Sequence, residues 1–147
     1  AVAWSLGAER YLGLGLPVIQ QSFEQALPAW DFAGKLAFTV ASIGSGFKGG
    51  EVTPLFFIGA TLGNALAPLL QLPLDLLAAV GLVAVFAGAA NTPLACTLMA
   101  VELFGAALGV PAALGCATSY LCSGAQGIYH AQRPGAGKAV KPAPPAA

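Results

Sequence analysis

The sequence predicts an all-α membrane protein built from about seven short, tilted or broken helices. Composition is the first observation behind this fold class. Of the 147 residues, 57% are hydrophobic and only 8% are charged, whereas charged residues make up about 25% of a typical soluble domain. The mean hydropathy of +0.78 means that most of the surface is expected to face lipid. Six acidic and six basic residues cancel, which leaves no basic excess for binding nucleic acid.

The apolar runs and the breaks between them are the second observation. A straight helix needs about 20 apolar residues to cross a bilayer core of about 30 Å. Each run in this chain is shorter than that or is interrupted, as the first is by Pro17. In order, the runs are Tyr11–Phe23, Phe32–Ile43, Leu55–Leu70, Leu76–Ala90, Leu94–Phe104, Val110–Leu121 and Gly127–Gln132.

Two pairs of glycines predict close contacts between these helices. Gly59 and Gly63 are four residues apart, and so are Gly105 and Gly109. Small residues at this spacing allow the backbones of two helices to approach each other inside lipid. We therefore expect both pairs to be packing sites.

Two Thr-Pro pairs predict helix starts within apolar sequence. In Thr53-Pro54 and Thr92-Pro93, a residue suited to capping precedes a proline suited to the first helical position. A helix that begins at membrane depth leaves N–H groups that need protein, water or an anion as partner. Transporters use such broken helices to face anionic solutes, but two ordinary surface caps would give the same pattern. The two Thr-Pro pairs alone leave both interpretations open.

The segment from Gly44 to Pro54 is the strongest candidate for a site. Its four glycines before a helix start allow the backbone to turn sharply and to expose consecutive amides. Exposed amides and the helix dipole together can bind an anion without a charged side chain. Such neutral binding suits a permeating ion, which must also leave.

Several motifs of the chain resemble those of the chloride channel and transporter (CLC) family. Gly50-Glu51-Val52-Thr53-Pro54 occupies the five positions of the family's Gly-x-Phe-x-Pro signature. Ala90-Asn91-Thr92-Pro93-Leu94, then Glu102, then Gly127-Ile128-Tyr129 follow in the family's order. The resemblance runs from about Tyr11 to Arg133 and covers most of the chain.

This resemblance implies that residues 1–133 form the second inverted repeat of a CLC-type fold, embedded in the lipid bilayer of the cell membrane. No Gly-x-Glu-x-Pro motif precedes Gly44, so the half that carries the family's gating glutamate is expected in a longer protein. Family members are homodimers, and the resemblance assigns Leu94–Phe104 and Val110–Leu121 to the dimer surface. The Pro-, Gly-, Ala- and Lys-rich residues 134–147 predict a disordered tail, which the positive-inside rule places in the cytoplasm.

The departures from the signature imply which anion is moved. Val52 stands where the chloride branch of the family has Phe, and the preceding Glu51 resembles the branch that exports fluoride in exchange for protons. By this resemblance, Gly50, Glu51, Val52, Thr53 and Tyr129 line the anion pathway, and Glu51 is the candidate proton carrier. An acid at membrane depth suggests a function by default, but Glu51 could also be an ordinary helix-start acid, and Tyr129 an interfacial anchor.

Three functions therefore remain open. The favoured one is fluoride export coupled to proton exchange. A chloride channel or chloride/proton exchanger of the same fold is the second, and a membrane-embedded half that assembles but transports nothing alone is the third. An enzyme is not expected, because one histidine and scattered acids provide neither a nucleophile–base pair nor a metal cluster.

The remaining polar and sulfur-containing residues predict structural roles and no cofactor or metal. Cys96, Cys116 and Cys122 all lie among apolar residues and are expected to be buried free thiols. Glu102 has no assigned chemistry and is expected to be a buried structural partner. Lys48 and His130 are expected near the membrane interface.

Overall fold

The structure is a computed structural model of the chain and describes residues 14–46, 50, 52–124 and 127–129. These residues contain α-helices, one 3-10 turn and no β-strand, which confirms the predicted all-α class. The helices are α1 (Leu16–Glu24), α2 (Asp31–Gly44), α3 (Val52–Leu70), α4 (Leu74–Ala90), α5 (Pro93–Phe104) and α6 (Gly109–Cys122), with the 3-10 turn Ala106–Leu108 before α6.

The helices overlap six of the seven predicted apolar runs, and the described part of the seventh run is not a helix. Gly127–Tyr129 is not helical, and the rest of that run lies outside the described residues. The predicted tail, residues 134–147, lies outside them as well. Within the described part of the chain, α3 is the one helix long and apolar enough to cross a membrane, while α4, α5 and the Ala106–Cys122 stretch are shorter apolar helices.

One of the two Thr-Pro pairs begins its helix as predicted. Thr92 is the N-cap of α5 and Pro93 is its first residue. The other helix, α3, begins at Val52, so Thr53 and Pro54 already lie in its first turn and the predicted start was wrong. Proline is tolerated there because the first four N–H groups of a helix have no partner within the helix.

Helices α3 and α4 form the most extensive interface of the fold, and three glycines make it close. A Cβ atom added at Gly59 would lie 2.5 Å from the Gly81 carbonyl oxygen, and one at Gly63 would overlap the Leu77 carbonyl oxygen. A Cβ atom at Gly81 would in turn overlap the Gly59 carbonyl oxygen. The predicted packing role of the first glycine pair is therefore confirmed, since only glycine permits this contact between backbones.

The second glycine pair does not pack helices together, and that prediction was wrong. Gly105 follows the last residue of α5 with φ 94° and ψ 166°, a conformation that is accessible almost only to glycine. Nothing lies within 4 Å of where its Cβ would be, and a Cβ at Gly109 would approach only the Val101 side chain, at 3.2 Å. Gly105 thus ends a helix, and Gly109 begins the next one.

Helix α4 is the centre of the fold and packs against α1, α3, α5 and α6. Asp75, in its first turn, is its single charged residue, so it is apolar on nearly every face, as expected of a helix surrounded by others. The buried core combines α4 with its neighbours and contains Ala60, Ala79, Leu82, Val83, Ala87, Cys96, Ala100, Leu108, Ala112 and Cys116.

Two of the predicted buried residues are exposed. Cys96 and Cys116 are buried as expected, but Cys122, the last residue of α6, is exposed. Glu102 is also exposed, which rules out the expected role as a buried partner within this chain. Glu102 continues the exposed face of α5 that carries Leu94 and Leu98, and Cys122 is the last residue of α6.

A buried amide holds the first connection of the fold in place. The Asn64 Nδ2 group, on α3, donates hydrogen bonds to the Ser22 carbonyl at 2.7 Å and to the Gln25 carbonyl at 2.8 Å. Its Oδ1 atom accepts a hydrogen bond from the Leu27 N–H at 2.9 Å. Asn64 thereby satisfies backbone groups at the end of α1 that would otherwise be buried without partners.

Candidate functional site

Four of the five predicted pathway residues fall within the described structure. Gly50 is exposed immediately before α3, and Val52 and Thr53 are half-buried in the first turn of that helix. Tyr129 is 45% exposed and lies in the segment after α6. Glu51 lies outside the described residues, so its role as a proton carrier stays a prediction. Lys48 and His130 lie outside them too.

The start of α3 has the properties of an anion-binding helix end. Val52, Thr53 and Pro54 form its first turn, which contains no acidic residue. The backbone N–H groups of Val52 and Thr53 lie in the first turn of the helix, where an N–H group has no partner within the helix, and Pro54 has no N–H group. The aligned peptide dipoles of the helix place about half a positive charge at this end. This end of α3 can therefore attract an anion, and the Thr53 hydroxyl adds a hydrogen-bond donor.

A second helix start, that of α5, has no side-chain cap. The Cys96 N–H donates to the Thr92 carbonyl at 3.1 Å, which closes the first turn of the helix. The Thr92 hydroxyl lies 3.6 Å from the Cys96 sulfur and makes no capping hydrogen bond. Asn91, at φ 62°, provides the sharp reversal from α4 into this start. The sequence correctly located the Thr92-Pro93 start but predicted a capping role that the hydroxyl does not perform.

A backbone hydrogen bond attaches the Tyr129 segment to the end of α4. After α6 ends at Cys122, the chain returns so that the Ile128 N–H donates to the Ala89 carbonyl at 2.9 Å. Ala89 is the penultimate residue of α4, three residues before Thr92. Tyr129 is thus held near the start of α5, whereas Gly50, Val52 and Thr53 lie together at the start of α3.

Two charged residues of α2 are buried, which the sequence did not indicate. Asp31 and Lys35 are only 1% and 3% exposed, and the Lys35 Nζ atom lies 5.2 Å from the centroid of the Phe57 ring on α3. At this distance the ammonium group and the ring attract each other. The signal that could have found the pair is its spacing of four residues at the start of an apolar run, which places both side chains on one face of a helix. Among the described residues, no group of three His, Cys, Asp or Glu side chains could hold a metal ion.

Comparisons with known proteins give the same assignment as the motifs. The family model described as "Voltage gated chloride channel" matches residues 1–124. The "Chloride/fluoride channel protein" of Pseudomonas syringae pv. tomato (strain ATCC BAA-871 / DC3000) is 60% identical over an alignment that covers 96% of this chain and 32% of that protein.

The fold has a solved counterpart as well. The structure described as "Crystal structure of a CLC-type fluoride/proton antiporter" is 42% identical to the chain and superimposes with a TM-score of 0.78, covering 83% of this chain and 31% of that one. The chain therefore spans about a third of the length of these relatives. The predicted resemblance to the CLC family and the predicted all-α membrane fold are both confirmed.

Proposed function

Because the chain belongs to the voltage gated chloride channel family, we propose that it supplies the second half of an anion pore. The complete protein would export fluoride in exchange for protons. The observation that carries this proposal is the start of α3, where an exposed Gly50 precedes the half-buried Val52 and Thr53 and no acid lies in the described first turn. A relative named a chloride/fluoride channel protein and a fluoride/proton antiporter structure support the choice of anion.

The chemistry of fluoride fits donors that carry no charge. Fluoride is small and accepts hydrogen bonds strongly, so backbone N–H groups and the hydroxyls of Thr53 and Tyr129 are suitable partners. A neutral site holds the anion less tightly than an arginine or a lysine would, which lets the ion leave after it has bound. Val52 gives the α3 start an aliphatic side chain where the chloride branch has an aromatic one.

Glu51 is the residue to which we assign proton coupling. Glu51 directly precedes α3 in the sequence, and the proposed anion site is at the start of that helix. A permanently ionised carboxylate there would repel the anion, whereas a carboxyl that gains and loses a proton can link the two movements. Such carboxyls are the usual proton relays of membrane transporters.

The substitution Glu51→Gln in the complete protein tests the proton-coupling assignment. Glutamine preserves the size and much of the hydrogen bonding of the side chain but cannot carry a proton, so proton-coupled fluoride efflux is expected to fall by about 100-fold or more. Anion binding should survive, because the start of α3 is retained. The measurement is fluoride efflux from proteoliposomes with simultaneous recording of pH.

The matched control is Glu24→Gln, because Glu24 is an exposed acid at the end of α1, outside the proposed dimer surface. This variant should keep both fluxes within about twofold of the unmodified protein, as expected for a surface substitution. If Glu51→Gln also leaves both fluxes intact, Glu51 is only an acid that favours the start of a helix. The same assay with chloride in place of fluoride tests the second candidate, a chloride transporter, since the name of the Pseudomonas relative includes both anions.

An apolar surface supports the further proposal that two complete proteins form a homodimer. Large side chains of α5 and α6 are exposed on this chain, and they recur at helical spacing. They are Leu94 at 81%, Leu98 at 67%, Val110 at 72%, Leu114 at 66% and Leu121 at 77%. These are the two helices that the resemblance assigns to the dimer surface. Cross-linking of the purified complete protein tests this assignment, and a monomer would contradict it.

A further inference from the structure

Three consecutive residues near the end of α4 fix three different parts of the fold. The Ala87 carbonyl accepts the N–H of Asn91 and, at 3.2 Å, the N–H of Thr92, which sets the start of α5. The Ala89 carbonyl accepts the Ile128 N–H at 2.9 Å, which attaches the segment that carries Tyr129. Gly88, between them, faces α6.

Gly88 allows the end of α6 to lie directly against α4. A Cβ atom added at Gly88 would overlap the Ser119 hydroxyl, and it would lie 3.3 Å from the Ser119 carbonyl oxygen and 3.5 Å from the Ser123 Cβ atom. The same Ser119 carbonyl accepts the Ser123 N–H at 2.8 Å, the last hydrogen bond of α6. A methyl group at position 88 would therefore have to displace the Ser119 hydroxyl or move the ends of α4 and α6 apart.

A displacement at Gly88 would reach Tyr129 through the next residue of α4. Ala89 follows Gly88 directly, and its carbonyl accepts the Ile128 N–H at 2.9 Å. If the end of α4 moves away from α6, the Ala89 carbonyl is drawn away from the Ile128 N–H. Tyr129, the next residue, then loses its fixed position beside the start of α5.

We propose that Gly88 is a positioning residue that places Tyr129 relative to the Thr92 start of α5, an inference that rests on the proposed anion pathway through Tyr129. Gly88 has no side chain that could touch the anion, so its effect on transport must pass through Ser119 and Ile128. A role in packing alone would lower stability without changing the affinity for the anion. The two roles are therefore distinguished by the apparent KM.

The test is Gly88→Ala in the complete protein, measured as fluoride efflux from proteoliposomes over a range of fluoride concentrations. The apparent KM is expected to rise by about tenfold, which corresponds to the loss of about one good hydrogen bond to the anion. Adding Ser119→Ala removes the hydroxyl that the new methyl group would overlap, so the double variant should return to within about twofold of the original KM. Ser119→Ala alone should have no effect.

Gly115→Ala is the matched control for packing. Gly115 is one turn before Ser119 on α6, and a Cβ there would approach Val80 of α4 to 2.7 Å. This substitution disturbs the same pair of helices but lies away from the Ala89–Ile128 hydrogen bond, so it should leave the KM unchanged. An equal rise in KM for Gly115→Ala, or no rescue by Ser119→Ala, would overturn the assignment of Gly88.

Hydrogen exchange provides a readout that does not depend on transport. The Ile128 amide should exchange faster in Gly88→Ala than in the unmodified protein, and its protection should return in the double variant. Unchanged protection in Gly88→Ala would overturn the positioning role. If the unmodified protein moves no fluoride while the Ile128 amide responds as expected, the proposed function has failed and the positioning of the Tyr129 segment by Gly88 is supported.

Discussion

The two glycine pairs of this chain have the same spacing and opposite roles. Gly59 and Gly63 lie within α3 and contact the backbone of α4, where any Cβ would meet carbonyl oxygens. Gly105 and Gly109 are also separated by three residues, but one helix ends just before Gly105 and another begins at Gly109. The first pair brings two helices together, and the second turns the chain between two helices.

The difference shows what the spacing of small residues requires in order to act as a packing motif. Residues four apart share a face only when the helix is continuous between them. Gly105 has a positive φ of 94°, so the helix ends there and Gly109 does not share a helical face with Gly105. The spacing alone therefore predicts a contact only where a longer apolar run surrounds both glycines.

Gly63→Ala is expected to have the largest effect on stability among the glycines of the two pairs. The new methyl group would overlap the Leu77 carbonyl oxygen and lie 2.6 Å from its carbon, and these are backbone atoms that cannot rotate away. Helices α3 and α4 would have to separate, at a cost of about 3 kcal/mol or more. Thermal unfolding in detergent should show a clearly lowered midpoint together with a poor yield of folded protein.

Gly44→Ala provides the control for that substitution. Gly44 is the last residue of α2, and nothing lies within 4 Å of where its Cβ would be. The midpoint of thermal unfolding of Gly44→Ala should stay close to that of the unmodified protein. A Gly63→Ala variant that unfolds like Gly44→Ala would show that α3 and α4 do not approach each other as closely as described.

The sequence predicted the helices better than it predicted the contacts between them. Apolar runs located α4 to within two residues, since Leu76–Ala90 was expected and Leu74–Ala90 is observed. We expected α3 to start at Pro54, two residues after its observed start at Val52, because proline is most common at the first position of a helix. The whole first turn tolerates proline, however. Local chemistry therefore defines the elements and leaves small errors at their ends.

The long-range features of the site had no comparable signal. Gly50, Val52 and Thr53 lie together because they are neighbours in the chain, so a motif can reveal them. The attachment of Tyr129 depends on a backbone hydrogen bond between Ile128 and Ala89, and backbone groups are the same in every sequence. Gly81 and Gly88 were not singled out either, because a single glycine does not show which neighbouring helix will contact it.

Gly105→Ala is expected to have an intermediate effect that arises from backbone strain and not from a clash. There is open space around the position, but φ 94° with ψ 166° is strained for any residue with a Cβ, at about 1–3 kcal/mol. The midpoint of thermal unfolding should fall by less than in Gly63→Ala. Gly124→Ala is the control, since Gly124 also has open space around it but lacks a positive φ. Equal midpoints for Gly105→Ala and Gly124→Ala would contradict the strained turn.

Gly109→Ala is expected to have the smallest effect and tests the second pair most directly. Gly109 has helical angles, φ −56° and ψ −47°, so alanine can adopt them without strain. Its added Cβ would approach the Val101 Cγ2 atom to 3.2 Å, and a small rotation of that side chain relieves the contact. The free energy of unfolding should change by no more than about 0.5 kcal/mol, because the mild crowding is offset by the lower entropy of the unfolded chain.

The measurement compares the unfolding midpoint of Gly109→Ala with that of the double variant Gly109→Ala, Val101→Ala, which lacks the one close neighbour of the added Cβ. A loss as large as that of Gly63→Ala would mean that Gly109 packs helices after all, and the contrast between the two pairs would then be wrong.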